Sequence, residues 1–150
     1  MSRIQFTSVL GSEYRRQLER LLFFNPQQHR ARAAILEAIE GHGVPQVVLE
    51  DGRLRVKLDS GCEVQTLFAV DHRGLNSKLA GVMVYTRSDL DTLLLLHIAV
   101  AEDHLLRGRF GEERLVERFV GQLREIAARV NGVRTVRLVL GRGKLWDLAI

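Results

Sequence analysis

The order of patterns between Thr92 and Leu140 constrains the fold more than any other feature of this chain. The segment Thr92–Val100 is almost entirely apolar, which predicts a strand buried on both faces. A basic, glycine-bearing loop follows, and a long amphipathic helix comes next. A second strand pattern runs from Val133 to Leu140. Such a strand–helix–strand unit predicts a crossover between parallel neighbours. One apolar stripe marks the helix: Leu115, Val116, Phe119, Val120, Leu123, Ile126, Ala127 and Val130.

The remainder of the chain predicts an α/β domain whose central sheet is mostly antiparallel and flanked by helices. A short strand at Ile4–Val9 precedes a helix for which Ser12 is the expected N-cap. A second helix is expected from about Pro26. The middle of the chain predicts an antiparallel meander, with a hairpin turn at Asp51-Gly52. Its strands are Val47–Glu50, Arg53–Leu58, Cys62–Asp71 and Leu79–Arg87.

Length and composition favour one soluble domain covering residues 1–150. No apolar run approaches the ~20 residues needed to span a bilayer, so no membrane partner is expected. The single cysteine, Cys62, excludes an internal disulfide, which makes a cytoplasmic location the expectation. The net charge of +4 is compatible with acidic ligands. Because the basic residues are scattered and aromatic residues are few, nucleic acid is not the expected partner.

The loop before the long helix has the features of an anion-binding segment. Arg107-Gly108-Arg109 brings two positive charges and a flexible backbone, and the helix begins near Gly111. A helix start offers unpaired N–H groups and the positive end of the helix dipole. The segment therefore predicts a seat for a phosphate or pyrophosphate group.

This order of elements resembles the GNAT superfamily of acyl-CoA-dependent N-acyltransferases. The resemblance implies a fold with an acetyl-CoA site, in which the two parallel strands separate near Val100 and leave a cleft beside the loop. Backbone groups at the end of the apolar strand would hold the pantetheine arm, and the loop would wrap the pyrophosphate. The residues that the resemblance assigns to acetyl-CoA are Ile98, Ala99, Val100, Arg107, Gly108, Arg109, Phe110, Gly111 and Glu112.

The chain departs from the family pattern at two places. The family loop has the form Q/R-x-x-G-x-G/A. With Gly108 as its first glycine, Leu105 occupies the Q/R position and Phe110 the second glycine. With Gly111 as its first glycine, Gly108 occupies the Q/R position and Glu113 the second glycine. Both tyrosines, Tyr14 and Tyr85, precede the apolar strand, and few residues follow Leu140. These departures leave an alternative open, a non-catalytic GNAT-fold module that works through protein contacts. Such a module could be a homodimer completed by a partner's strands.

His97 is the expected catalytic base if the protein is an enzyme. It is the one titratable side chain in the apolar strand, and histidine titrates near neutral pH. The substrate would then be an amine of a small molecule or a protein. The histidines and Cys62 do not have a metal-ligand spacing, so no metal is expected.

Overall fold

The computed structural model describes residues 4–23, 45–59, 61, 63–72, 76–101, 111–140 and 144–149. The helix expected from about Pro26 and the basic loop at 107–110 lie outside this part of the chain. The described elements are β1 (Ile4–Thr7), a 3-10 helix (Ser12–Tyr14), α1 (Arg15–Phe23), β2 (Pro45–Glu50), β3 (Arg53–Leu58), β4 (Gln65–Asp71), β5 (Lys78–Asp89), β6 (Thr92–Val100), α2 (Gly111–Arg129), β7 (Thr135–Leu140) and β8 (Lys144–Ala149).

Six of the strands form one mixed sheet. Their spatial order is β1-β4-β5-β6-β7-β8, and the neighbours are antiparallel except for β6 and β7. The parallel ladder runs from Thr92↔Thr135 to Leu95↔Leu138, and α2 connects the two strands in sequence. The predicted crossover and the predicted α/β class with a mostly antiparallel sheet are therefore confirmed.

Two hydrophobic clusters lie on opposite faces of this sheet. On the first, here called the α1 face, Leu18, Leu21 and Leu22 of α1 pack against sheet residues and against β3. On the second, the α2 face, the sheet packs against the stripe of α2. That stripe was predicted correctly. Its fully buried members are Leu115, Phe119, Leu123 and Ala127.

The hairpin β2–β3 forms as predicted, but it is not part of a continuous meander. Asp51 and Gly52 have φ values of 52° and 76°, as a tight turn between twisted strands requires. The two strands make a separate two-stranded sheet, so the expectation of one meander is wrong here. The physical reason lies in β3: the chain after β1 occupies its free edge, where the Leu54 N–H donates to the Leu10 carbonyl at 2.8 Å.

The helix ends differ in how well the sequence predicted them. Ser12 is not a side-chain N-cap, because a 3-10 helix begins there with Gly11 at the cap position and no side-chain cap bond. The stop of α2 is as expected, with Gly132 at a φ of 86°. Arg87 reinforces this end, since its Nη2 donates to the Asn131 carbonyl at 2.9 Å. The side chain of Arg87 thus ties β5 to the end of α2.

The strand β8 was not expected from the sequence. It pairs antiparallel with β7, and Leu148 joins the α2-face cluster. On the opposite face Arg137 makes two hydrogen bonds to the Asp147 carboxylate, of 2.8 and 3.1 Å. This ion pair lowers the pKa of Asp147 below its ordinary value. A polar, half-exposed pair therefore occupies the α1 face at this edge of the sheet.

We expect Gly81→Ala to destabilise the protein. Gly81 of β5 lies beneath Phe119 of α2, and a Cβ there would stand 2.8 Å from Phe119 Cε2 and 3.0 Å from the Ala99 carbonyl oxygen. Overpacking of this kind costs about 1–3 kcal/mol of unfolding free energy. Urea denaturation followed by circular dichroism measures the change.

Gly121→Ala is the matched control for this variant. Gly121 is exposed within α2, and a Cβ there meets no atom within 4 Å. Because alanine favours the helix, this change should stabilise the protein by about 0.5–1 kcal/mol. Equal effects of the two alanine substitutions would contradict the close contact at Gly81.

Candidate functional site

The strand β6 contains a β-bulge at Leu96. In the β5–β6 ladder Tyr85 pairs with Leu95, and the next pair joins Val84 to His97, so Leu96 is skipped. Leu96 and Val84 both pack in the α1-face cluster. His97 shares that face because it stands opposite Val84. Leu96 and His97 follow each other in sequence and yet lie on the same face, which is the mark of a β-bulge. A bulge redirects side chains and can end strand pairing.

The parallel ladder between β6 and β7 ends immediately before this bulge. Its last pair is Leu95↔Leu138, although β6 continues to Val100. β7 stays paired with β8 up to Leu140↔Lys144. Residues 96–100 of β6 therefore have no described pairing with β7. The cleft expected between these strands near Val100 stays a prediction.

The backbone of Ile98 points away from β5. Just after β6, Ala101 donates its N–H to the Ala80 carbonyl at 2.8 Å, which places Ala101 in a hydrogen-bonded pair of the β5–β6 ladder. Hydrogen-bonded and non-hydrogen-bonded pairs alternate along an antiparallel ladder. The N–H and C=O of Ile98 therefore point away from β5, toward the side of β6 on which β7 pairs with Thr92–Leu95. By the same alternation, those of Ala99 point toward β5.

His97 lies on the α1 face with an enclosed ring nitrogen. Its side chain is half-buried, and Nε2 makes no hydrogen bond within the described residues. Burial lowers the pKa of His97 below its ordinary value of 6.5, because the charged imidazolium would lose its hydration. The ring is therefore neutral at pH 7 and can accept a proton.

This lowered pKa makes a prediction for stability. The unfolded chain takes up the His97 proton near pH 6.5, at a higher pH than the folded protein does. Between these two pKa values the unfolded chain binds the proton more readily than the folded protein does, which favours unfolding. The contribution of neutral His97 to the free energy of unfolding is therefore complete above pH 6.5 and declines as the pH falls below it. For one group the slope is at most about 1.4 kcal/mol per pH unit. Urea denaturation at pH 7.5, 6.5 and 5.5 should show this decline, and His97→Gln should flatten it. An unchanged slope in His97→Gln would contradict the assignment.

The other residues expected at the acetyl-CoA site are only partly described. Val100 ends β6, and its backbone points to the same side as that of Ile98. Gly111 and Glu112 form the first turn of α2, so this helix begins where it was predicted. The remaining residues of the loop lie outside the described residues: Arg107, Gly108, Arg109 and Phe110.

Sequence reasoning missed a second concave site, formed by β3 and the residues leading into β4. It is a groove of ≈ 490 Å³ lined by both segments and by Ser8. The alternation of Arg53–Leu58 predicted an ordinary strand pair at this place. The signal that could have found the groove is the glycine-containing turn around Gly61, where φ is 81° and the chain leaves β3.

Comparison with protein-family models, with curated proteins and with solved structures gives no match for this chain. Within the described ranges, His, Cys, Asp and Glu side chains form no group of three or more that could hold a metal ion. No helix within the described residues has the length and apolar character that crossing a membrane requires.

Proposed function

We propose that this protein is a GNAT-like N-acetyltransferase, which transfers the acetyl group of acetyl-CoA to an amine. The observation that carries the proposal is the coincidence of three features of β6: the bulge at Leu96, the end of the parallel ladder, and the direction of the Ile98 backbone. Pantetheine is an extended chain with two amide groups. The N–H and C=O of Ile98 could therefore pair with it as they would with a neighbouring strand.

The start of α2 supports a place for the phosphates. The first N–H groups of a helix have no partner within the helix and carry its positive dipole end. α2 begins at Gly111, one connection after the end of β6. In the proposed complex Arg107 and Arg109 add positive charge beside this helix start. Pantetheine and pyrophosphate would then be bound by consecutive parts of one strand–loop–helix unit.

His97 gives the proposed reaction a proton acceptor. The amine nitrogen attacks the thioester carbonyl carbon, so that a C–N bond forms and the C–S bond breaks. The proton lost by the amine passes to His97, directly or through a water, and the departing thiolate takes up a proton from solvent. A neutral imidazole can serve this role at pH 7 because burial lowers the pKa of His97.

Incubation with acetyl-CoA and a panel of amines tests the transfer step. The panel contains a polyamine, an aminoglycoside, a peptide with a free N-terminus and a lysine-containing peptide with a blocked one. Mass spectrometry should show an acetylated product and an equal amount of free CoA. Release of CoA without an acetylated amine would contradict acyl transfer. Acetyl-CoA binding without transfer to any amine would favour the non-catalytic module.

A further inference from the structure

The connection between α2 and β7 contains the dipeptide Asn131-Gly132. Both residues are exposed, and Gly132 has a φ of 86°. The Val133 N–H donates to the Val130 carbonyl at 3.3 Å across these two residues. Asn131 and Gly132 are therefore the central residues of a tight turn that faces solvent.

Two groups of this turn have the freedom that an attack of the main chain on a side chain requires. Neither the Gly132 N–H nor the Asn131 carboxamide makes a hydrogen bond within the described residues. The main-chain carbonyl of Asn131, by contrast, accepts a bond from Arg87 Nη2 at 2.9 Å. The main chain of Asn131 is thus held, while its side chain can rotate. Gly132 has no Cβ that would hinder the approach of its nitrogen to Asn131 Cγ.

We propose that Asn131 is a site of spontaneous deamidation. The Gly132 N–H gives its proton to hydroxide, and the nitrogen attacks Asn131 Cγ. An N–Cγ bond forms, the Cγ–Nδ2 bond breaks, and Nδ2 leaves as ammonia with a proton from water. The resulting succinimide ring is opened by a second water: addition at Cγ gives aspartate, and addition at the main-chain carbonyl carbon gives isoaspartate. Overall, one amide and one water yield a carboxylate and ammonium, with no change of oxidation state. The proposal does not depend on acyl transfer.

The other two asparagines of the chain lack this combination of features. Asn25 precedes Pro26, whose nitrogen has no proton to lose. Asn76 precedes Ser77, whose Cβ restricts the backbone where glycine would not. The Ser77 side chain is also held, since its Oγ lies 2.7 Å from His72 Nδ1. Deamidation should therefore be concentrated in the turn between α2 and β7.

Isoaspartate in this turn alters the junction of α2 with β7. It routes the main chain through the side-chain carbons and so lengthens it by one methylene. The residues that follow are fixed, because the N–H groups of Arg134 and Thr135 both donate to the Asp91 carbonyl, at 2.8 and 3.0 Å. Val133 is buried in the α2-face cluster. The longer chain must therefore break the bond from Val133 to Val130 or displace the Val133 side chain, and the isoaspartate form should unfold at a lower urea concentration.

Peptide mapping of the full chain, incubated in its folded state at pH 7.5, tests the site. Trypsin cuts after Arg129 and Arg134, so the fragment Val130–Arg134 contains Asn131 as its one asparagine. With time this fragment should gain the mass difference between an OH and an NH₂ group and separate into aspartate and isoaspartate forms. Conversion should be at least about tenfold faster than at Asn76, because glycine follows only Asn131. It should also be faster at pH 8.5 than at pH 6.5, since the deprotonated nitrogen is the nucleophile.

A short peptide without a fold provides the reference rate. Acetyl-Val-Asn-Gly-Val-Arg-amide reacts at the rate of the bare sequence, and the folded chain should react within about tenfold of it, because the turn leaves both reacting groups without hydrogen bonds. A folded chain that reacts more than tenfold more slowly than the peptide would overturn the proposal, because the turn would then hold the nitrogen and Cγ apart.

Two exposed substitutions at the same position separate the chemistry from its effect on stability. Asn131→Gln would have to close a six-membered ring, so its fragment should stay unmodified under the same incubation. Asn131→Asp supplies the aspartate product directly and keeps the length of the main chain, so its urea midpoint should match that of fresh wild-type protein. Incubated wild-type protein rich in isoaspartate should have a lower midpoint than both. Deamidation of the wild-type fragment with no change in the midpoint would refute the expected strain at Val133.

Discussion

Replacing Phe119 by alanine should lower the free energy of unfolding by about 3–5 kcal/mol, the usual cost of deleting a fully buried aromatic ring. Phe119 is 0% exposed and lies at the centre of the α2-face cluster. Its ring packs edge-on against Phe6 with centroids 5.2 Å apart, and it covers Gly81. The loss should appear in urea denaturation as a lower midpoint with an unchanged slope.

A double-mutant cycle makes this prediction specific. Most of the crowding expected in Gly81→Ala comes from the Phe119 ring, so that substitution should cost less when Phe119 is already alanine. The Ala99 carbonyl remains close, so some cost should persist. Glu117→Ala, on the exposed side of α2, should change stability by less than about 0.5 kcal/mol. Strict additivity of the Gly81 and Phe119 substitutions would contradict the close packing of β5 against α2.

Replacing His97 by alanine should lower turnover by about 10²–10⁴-fold, the usual contribution of a general base. The affinity for acetyl-CoA should change little, because the proposed cofactor contacts are made by backbone groups. The acidic limb of the wild-type pH–rate profile should have its midpoint below pH 6.5, since burial lowers the pKa of His97. Steady-state kinetics with the amine identified in the panel provides all three measurements.

His72→Ala is the matched histidine control. His72 is exposed, where its ring nitrogens contact Ser77 Oγ at 2.7 Å and Gln5 Oε1 at 2.9 Å. Its described partners are Gln5 of β1 and Ser77 before β5, away from β6, so this variant should keep wild-type turnover. A His97→Ala protein with full turnover would show that His97 is a packing residue. A fall in kcat together with a large rise in KM for acetyl-CoA would indicate a structural role instead.

The sequence predicted the sheet and α2 because strong periodic patterns determine them. The apolar run of β6 and the single stripe of α2 allow few alternatives, and the Asp51-Gly52 turn specifies its hairpin. These elements supply most of the main sheet and its α2 face. The same patterns also placed His97 and Ile98 on β6.

Features that depend on contacts between distant segments were not predictable from one sequence. The bulge at Leu96 lies within an unbroken apolar run, where no residue marks a change of phase. Separation of β2–β3 from the main sheet depends on Leu10, which reaches the edge of β3 from far away in sequence. β8 was missed because its stability comes from pairing with β7, including the Arg137–Asp147 ion pair. Local propensity contains little information about such contacts.

Isothermal titration with acetyl-CoA tests the central claim most directly. The wild-type protein should bind one equivalent, and Gly108→Glu, which adds negative charge to the expected phosphate loop, should weaken binding markedly. Ile98→Pro, which removes the N–H that points away from β5 together with the Ile98 side chain, should weaken it about tenfold. Saturable binding with this order of affinities is the predicted result. A wild-type protein that gives no heat of binding at millimolar acetyl-CoA would contradict the account.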